Sequence, residues 1–131
     1  MKKDIHNRED IMLLVDSFYK NVALNQQIGP IFTDVAKVDW SHHLPKMYDF
    51  WESILFGKAI YKGNPMPTHF ALNEQIALQT EAFETWKKLF FQTVDDFFVG
   101  PNADLIKQKA QSIADLMHFK INLPQSKIKI V

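Results

Sequence analysis

The sequence predicts an all-α fold, and three observations support that prediction. Apolar side chains recur at the three- and four-residue spacing of amphipathic helices along four long segments. Stretches rich in glycine and proline, which interrupt helices, are short and lie between those segments. Alternating strand patterns are nearly absent, and 131 residues are enough for one domain. We therefore expect a single domain over residues 1–131, with a core at about 8–120 and a flexible tail at about 121–131.

The first predicted helix runs from Arg8 to Leu24 and begins with acidic residues, which favour a helix N-terminus. A turn at Gly29-Pro30 follows, and Ile31-Phe32 fits the start of a short helical piece. The stripe that this first helix would bury consists of Ile11, Leu14, Val15, Phe18, Tyr19 and Val22.

The second predicted helix begins near Ser41 and ends at Leu55 or Phe56, before Gly57. We expect Ser41 as its N-cap, because Pro45 then falls among the residues whose N–H groups have no intrahelical partner. With Asp39 as the cap, Pro45 would lie deeper and cost a hydrogen bond. The predicted inner face consists of His43, Met47, Phe50, Trp51, Ile54 and Leu55.

Two further helices are predicted after a loop over residues 57–67 and a short helical turn at 68–72. One spans about Ile76 to Phe98 and the other about Ala103 to Lys120. Their apolar stripes are Leu78, Ala82, Phe83, Trp86, Leu89, Phe90, Thr93, Val94 and Phe97, and Leu105, Ile106, Ala110, Ile113, Leu116 and Met117. An antiparallel bundle and a more orthogonal helix packing both fit this series.

Composition excludes several classes of function. Fifteen basic and fifteen acidic residues give no net charge, so we expect no nucleic-acid partner. Without cysteine there is no disulfide, thiolate metal site or cysteine nucleophile. The segment from Met1 to Asp10 lacks an apolar signal core, and no run is long enough to span a membrane, so we expect a cytoplasmic protein. Eleven Phe, three Trp and three Tyr suit a large core or the walls of a pocket for a flat apolar ligand, and composition alone favours the core.

Five histidines are the candidate ligands, and two of them stand out. His43 shares a predicted helix face with Met47 and Phe50, and His69 lies in a proline-flanked turn among apolar residues. Either histidine is compatible with a structural role or with binding a metal or haem. A non-haem metal site on this pair would need carboxylate partners that the sequence does not identify.

Four segments together form a more specific pattern. They are Phe18-Tyr19 with Gly29-Pro30-Ile31-Phe32, His43 through Phe50-Trp51, His69-Phe70-Ala71-Leu72, and Phe83-Glu84-Thr85-Trp86-Lys87-Lys88-Leu89-Phe90. In this order and spacing they resemble the bacterial truncated haemoglobins of the third group, the P type, over about residues 8–120. The Gly-Gly pairs usual in the first two groups are missing, which favours the third, and Ala82 stands where many relatives have His.

The resemblance implies a two-over-two helical sandwich around haem b, with His69 as the proximal iron ligand. It implies Tyr19, Trp86 and His43 as the distal polar groups. Dioxygen gains negative charge on ferrous iron, so hydroxyl and indole donors would favour it over carbon monoxide. The implied haem contacts are Phe32, Lys46, Met47, Phe50, Trp51 and Leu72, of which Lys46 would reach a propionate.

The resemblance further implies a protein that binds dioxygen, nitric oxide and carbon monoxide. Strong distal donors slow oxygen escape, so we expect redox chemistry, such as nitric oxide dioxygenation or peroxide handling, rather than oxygen transport. Such an activity would make the protein an enzyme with a reductase partner, and we expect a monomer or weak oligomer. The alternative is a haem-free helical sensing or interaction module, which explains the helices but not the joint placement of Tyr19, His43, His69 and Trp86.

Overall fold

The computed structural model describes residues 2–30, 39–58 and 80–121, and these contain four long helices. They are α1 (Arg8–Leu24), α2 (Trp40–Phe56), α3 (Thr80–Phe97) and α4 (Pro101–Ile121). The all-α prediction is confirmed, and α1 has the predicted bounds. The predicted piece at Ile31-Phe32, the loop and turn between residues 59 and 72, the start of the third predicted helix and the tail lie outside the described residues.

The helices pack in a continuous series around one core. Helix α1 contacts both α2 and α3, α3 packs along α4, and α4 also contacts α2. The predicted stripe of α1 is buried along its whole length. The core residues from all four helices include Leu14, Phe18, Val22, Trp51, Leu55, Phe90, Val94, Ile106 and Ala110.

The start of α1 is fixed by reciprocal polar contacts. The side chain of Asn7 accepts a hydrogen bond from the backbone N–H of Asp10 at 3.0 Å. The Asp10 carboxylate in turn accepts from the backbone N–H of His6 at 2.9 Å and from the ammonium of Lys3 at 2.8 Å. This arrangement resembles a capping box and satisfies donors that a helix N-terminus otherwise leaves to water.

The predicted start of α2 is wrong, because Asp39 rather than Ser41 is the N-cap. The Asp39 carboxylate accepts from the N–H and the hydroxyl of Ser41, at 3.1 and 2.6 Å. Its backbone carbonyl accepts from the N–H of His43 at 2.9 Å. Pro45 therefore lies in the second turn, where it has no N–H to donate. The helix nevertheless continues through Pro45 and ends, as predicted, at Gly57, which has a left-handed conformation.

The start of α4 is capped from the far end of the chain. Asp4 accepts hydrogen bonds from the backbone N–H groups of Asn102 and Ala103, at 3.0 and 2.9 Å. Gly100 has φ 142°, and a β-carbon there would lie 2.6 Å from the Asp4 side chain. Pro101, at the first helical position, needs no donor partner. The helix therefore begins two residues before the predicted start at about Ala103.

Two of the predicted core positions that the structure describes are exposed. Phe97 is 39% exposed because α3 ends there, and its neighbour Phe98 is buried instead, beside Lys3 in a single β-bridge. Leu116 is half exposed because the buried face of α4 runs through Ile106, Ala110, Ala114 and Met117. In both cases the sequence contained two adjacent apolar residues, and packing selected one of them.

Candidate functional site

Three aromatic side chains meet where α1 packs against the first turn of α2. The Tyr19 ring is 6% exposed, and its centroid lies 5.1 Å from that of His43 in an edge-to-face contact. Trp40 completes the group, with centroids 5.5 Å from Tyr19 and 5.7 Å from His43. The Nε2 atom of His43 is itself buried. Tyr19 and His43, both predicted site residues, are therefore neighbours, and we call these three side chains the Tyr19 cluster.

Trp86 is joined to this cluster through one phenylalanine. The Phe18 ring lies 4.9 Å from Tyr19 and 5.4 Å from Trp86, edge to face with both. Trp86 stacks on Phe90 at 5.5 Å, and Phe90 stacks on Trp51 at 4.8 Å. An aromatic series thus runs from α1 across α3 to α2, and the polar groups of the Tyr19 cluster lie at one end of it.

Charged contacts hold α2 against α1 below the Tyr19 cluster. Arg8 donates to Asp49 at 2.9 Å and to the buried Glu52 at 2.7 Å. Lys58 adds a second cation 3.4 Å from Glu52. The hydrogen bond from Arg8, supported by Lys58, keeps the pKa of Glu52 below its ordinary value despite burial. The ion pairs of Arg8 with Asp49 and Glu52 thus help to set how α2 lies along α1, and with it the contact between His43 and Tyr19.

A second contact between the same helices involves Tyr48. Its hydroxyl donates to the Asp16 carboxylate on α1. Burial and this carboxylate raise the pKa of Tyr48 to about 12, so the hydroxyl keeps its proton at neutral pH. Tyr48 is thus a structural tyrosine, distinct from Tyr19.

The remaining predicted site residues divide into three sets. Trp51 is buried in the core, Met47 and Phe50 are half-buried against it, and Lys46 is exposed. Phe32, His69 and Leu72 lie outside the described residues. Among the other histidines, His6 and His42 are exposed, and the His118 ring stacks on Phe83 at 4.9 Å. The His118 ring thus packs between α4 and α3.

Trp40 is the site residue that sequence reasoning missed. With Ser41 as the N-cap, Trp40 would precede the helix and have no defined face. With Asp39 as the cap, it is the first helical residue and lies one turn before His43 on the same side. The sequence signal for Trp40 is Asp39, because aspartate is a preferred N-cap and would make Trp40 the first helical residue.

The Tyr19 cluster and Trp86 offer polar hydrogens within apolar surroundings. A phenol, an imidazole and two indoles can each donate a hydrogen bond, and the rings beside them exclude water. This chemistry fits a small polar ligand held above a flat apolar group such as haem. A charged substrate would be poorly accommodated here, because nearby charges such as Arg8 and Glu52 are already paired.

Comparison with known proteins identifies the family. The model of the bacterial-like globin family matches residues 3–122. The chain is 32% identical over 123 residues to the group 3 truncated haemoglobin ctb of Campylobacter jejuni, covering 92% of this chain and 93% of that protein. The chain belongs to the bacterial-like globins. The resemblance to group III truncated haemoglobins is therefore confirmed.

A solved structure supports the same assignment for the fold. The crystal structure of a group III truncated haemoglobin from Campylobacter jejuni matches this globin with a TM-score of 0.80 at 31% identity. The match covers 92% of this chain and 95% of the other. The truncated globin fold is thus confirmed, and as a globin this protein binds haem and diatomic gases. In the described part of the chain, no helix is long and apolar enough to cross a membrane.

Proposed function

We propose that this globin binds haem b, with His69 as the proximal iron ligand and the Tyr19 cluster on the distal side. Haem supplies a ferrous iron that binds dioxygen, nitric oxide or carbon monoxide. The observation that carries the proposal is the buried contact of Tyr19 with His43, joined through Phe18 to Trp86. All three polar groups that the resemblance assigns to the distal side belong to one aromatic series.

The roles of the distal residues follow from their donors. The Tyr19 hydroxyl and the Trp86 indole N–H would each donate to bound dioxygen, while His43 can donate, accept or move aside. Each well-aimed bond contributes about 1–3 kcal/mol in a dry pocket. Met47, Phe50, Trp51, Phe32 and Leu72 would supply apolar walls, and the exposed ammonium of Lys46 would pair with a propionate.

We propose redox chemistry rather than oxygen transport, because several donors would slow the escape of dioxygen. Oxidation of nitric oxide by dioxygen to nitrate consumes one electron, so this activity requires a reductase. The second redox reaction that we propose for the haem is the reduction of peroxide. Membership of the globin family favours haem binding over a haem-free interaction module. We also retain the proposals of a monomer or weak oligomer in the cytoplasm and of one domain over residues 1–131.

The visible spectrum tests the proximal assignment. Purified protein is mixed with hemin, reduced with dithionite and exposed to carbon monoxide. A sharp Soret band that shifts with carbon monoxide is expected for the wild type. His69→Ala should lose it, whereas His42→Ala, which changes an exposed histidine on α2, should keep it. An unchanged spectrum in His69→Ala would assign the proximal ligand to another residue.

Product analysis tests the redox proposal. The reduced, oxygen-loaded protein is mixed with one equivalent of nitric oxide, and nitrate is quantified. Stoichiometric nitrate with rapid oxidation of the haem is expected. Release of unreacted nitric oxide would leave gas binding without this activity and would contradict the proposal.

A further inference from the structure

We propose that Trp40 is a positioning residue that holds the His43 imidazole inward against Tyr19. This inference rests on the proposed function, since it assigns a distal role to His43. It adds to that function a residue, absent from the predicted site, that controls how much of the time the distal histidine lies in the pocket.

The geometry of α2 supports this role. Trp40 and His43 are three residues apart, so they occupy the same side of the helix. Side chains on a helix lean toward its N-terminus, so the His43 ring is directed onto the turn that contains Trp40. The two ring centroids are 5.7 Å apart with an interplanar angle of 72°. The indole is therefore a supporting surface for the imidazole.

Tyr19 adds a second contact, from α1. Its ring contacts both Trp40 and His43, at 5.5 and 5.1 Å, so the three rings form a triangle in which the imidazole packs against the indole and the phenol together. The Asp39 cap fixes the position of Trp40 at the first turn. Pro45 leaves the carbonyl of Ser41 without its usual intrahelical donor, which makes this part of α2 depend more on side-chain contacts.

Removal of the indole should therefore release the histidine. A rotamer that turns His43 outward would open the distal side to incoming gas. One aromatic contact of this type corresponds to a change of about 2- to 10-fold in the ratio of inward to outward histidine. Carbon monoxide association should accelerate by a similar factor, and dioxygen dissociation should accelerate as well.

The test compares Trp40→Ala, Trp40→Leu and Trp40→Phe in the haem-loaded protein. Carbon monoxide rebinding after photolysis and the infrared C–O stretching band are measured for each variant. Trp40→Ala and Trp40→Leu should rebind about 2- to 10-fold faster and shift intensity between C–O bands. Trp40→Phe, which retains a ring edge, should stay within about twofold of the wild type. Leucine fills more of the space of the indole than alanine does. Trp40→Leu therefore tests the proposal even if Trp40→Ala does not fold.

Two controls separate positioning from general loss of structure. Ser41→Ala removes a hydroxyl from the same cap but leaves the three rings, so it should rebind at the wild-type rate. In a His43→Ala background, Trp40→Leu should have no further effect, since the residue on which Trp40 acts is absent. Equal acceleration in both backgrounds would show that Trp40 acts by another route and would overturn the inference.

The contact between Trp40 and His43 can also be measured directly by NMR, without any bound gas. Nuclear Overhauser contacts between the Trp40 indole protons and the His43 ring protons should be present in the wild type. Their absence would overturn the inference whatever the spectrum of the haem complex. If instead these contacts are present in the wild type but His69→Ala keeps its Soret band, the proximal assignment is contradicted and the role of Trp40 is not. The two failures are thus distinguishable.

Discussion

Tyr19 illustrates what a sequence can and cannot say about a single residue. Its place on the buried stripe of α1 followed from helical spacing, and the structure confirms it. Spacing alone could not separate a core tyrosine from a ligand-binding one. That separation needs the neighbours, which are His43 and Trp40 on another helix. Tyr48 has the same side chain, yet its hydroxyl is bound to Asp16.

Substitution of Tyr19 by Phe should speed dioxygen dissociation by about 5- to 100-fold, since one donor of about 1–3 kcal/mol is lost. Carbon monoxide dissociation should change much less, because bound carbon monoxide carries less negative charge. Stopped-flow displacement of each gas measures both rates. Tyr48→Phe removes a hydroxyl from the same pair of helices and should leave both rates unchanged. An unchanged dioxygen rate in Tyr19→Phe would contradict the donor role.

At the level of elements, the start of α1 could be predicted from the sequence, whereas α2 and α4 each begin two residues before the predicted start. The bounds of α1 follow from a local cap and a long stripe. For α2, Pro45 favours a start at Ser41, but the capping side chain of Asp39 starts the helix two residues earlier. The sequence around the start of α4 contains Gly100 and Pro101 but not the capping group, Asp4, which is 98 positions from Asn102. Caps formed by distant side chains leave no mark in a sequence window.

The cap on α4 gives a stability prediction. Asp4→Ala should lower the free energy of unfolding by about 0.5–2 kcal/mol, because two backbone N–H groups lose their acceptor. Asp4→Asn keeps one side-chain oxygen and should cost less. Urea unfolding followed by circular dichroism measures both variants. Equal stability of Asp4→Ala and the wild type would mean that water replaces the carboxylate without cost.

Gly100 provides an independent test of the contact between Asp4 and the start of α4. Gly100→Ala should lower the free energy of unfolding by about 1–3 kcal/mol, because φ 142° is strained for alanine and the added carbon meets Asp4. In an Asp4→Ala background the steric part should shrink while the backbone part remains. Urea titration of the two single variants and the double variant measures this difference. Strict additivity would show that the contact with Asp4 is not the source of the cost.

For the whole molecule, a net charge of zero conceals a set of specific pairs. Three charged side chains are buried in the described residues with opposite charges beside them: Asp10 with Lys3, Glu52 with Arg8, and Lys87 with Glu84 and Asp115. These pairs could not be identified from the sequence. Arg8 and Glu52, like Lys87 and Asp115, are distant along the chain, and Glu84 is one of several acidic residues on α3. Their identity depends on how the helices pack.

Glu52 makes the stability of the protein depend on pH in a defined direction. Arg8 lowers the pKa of Glu52 from its ordinary 4.5, so the folded state favours the charged carboxylate. This contribution is fully present above the ordinary pKa and is lost as the pH falls through the lowered folded-state value. Glu52→Gln should cost about 1–3 kcal/mol at about pH 7. The difference between Glu52→Gln and the wild type should narrow in urea titrations as the pH falls below 4.5, and a constant difference would argue against this ionisation.

The contact of Asp4 with Asn102 and Ala103 also bears on the order in which the protein is made. It joins residues 98 and 99 positions apart, whereas α1 can form from local contacts as soon as it is synthesised. A further 98 residues must leave the ribosome after Asp4 before it can meet Asn102. Asp4 is thus translated long before it finds its native contacts, and until then the start of α4 lacks its cap.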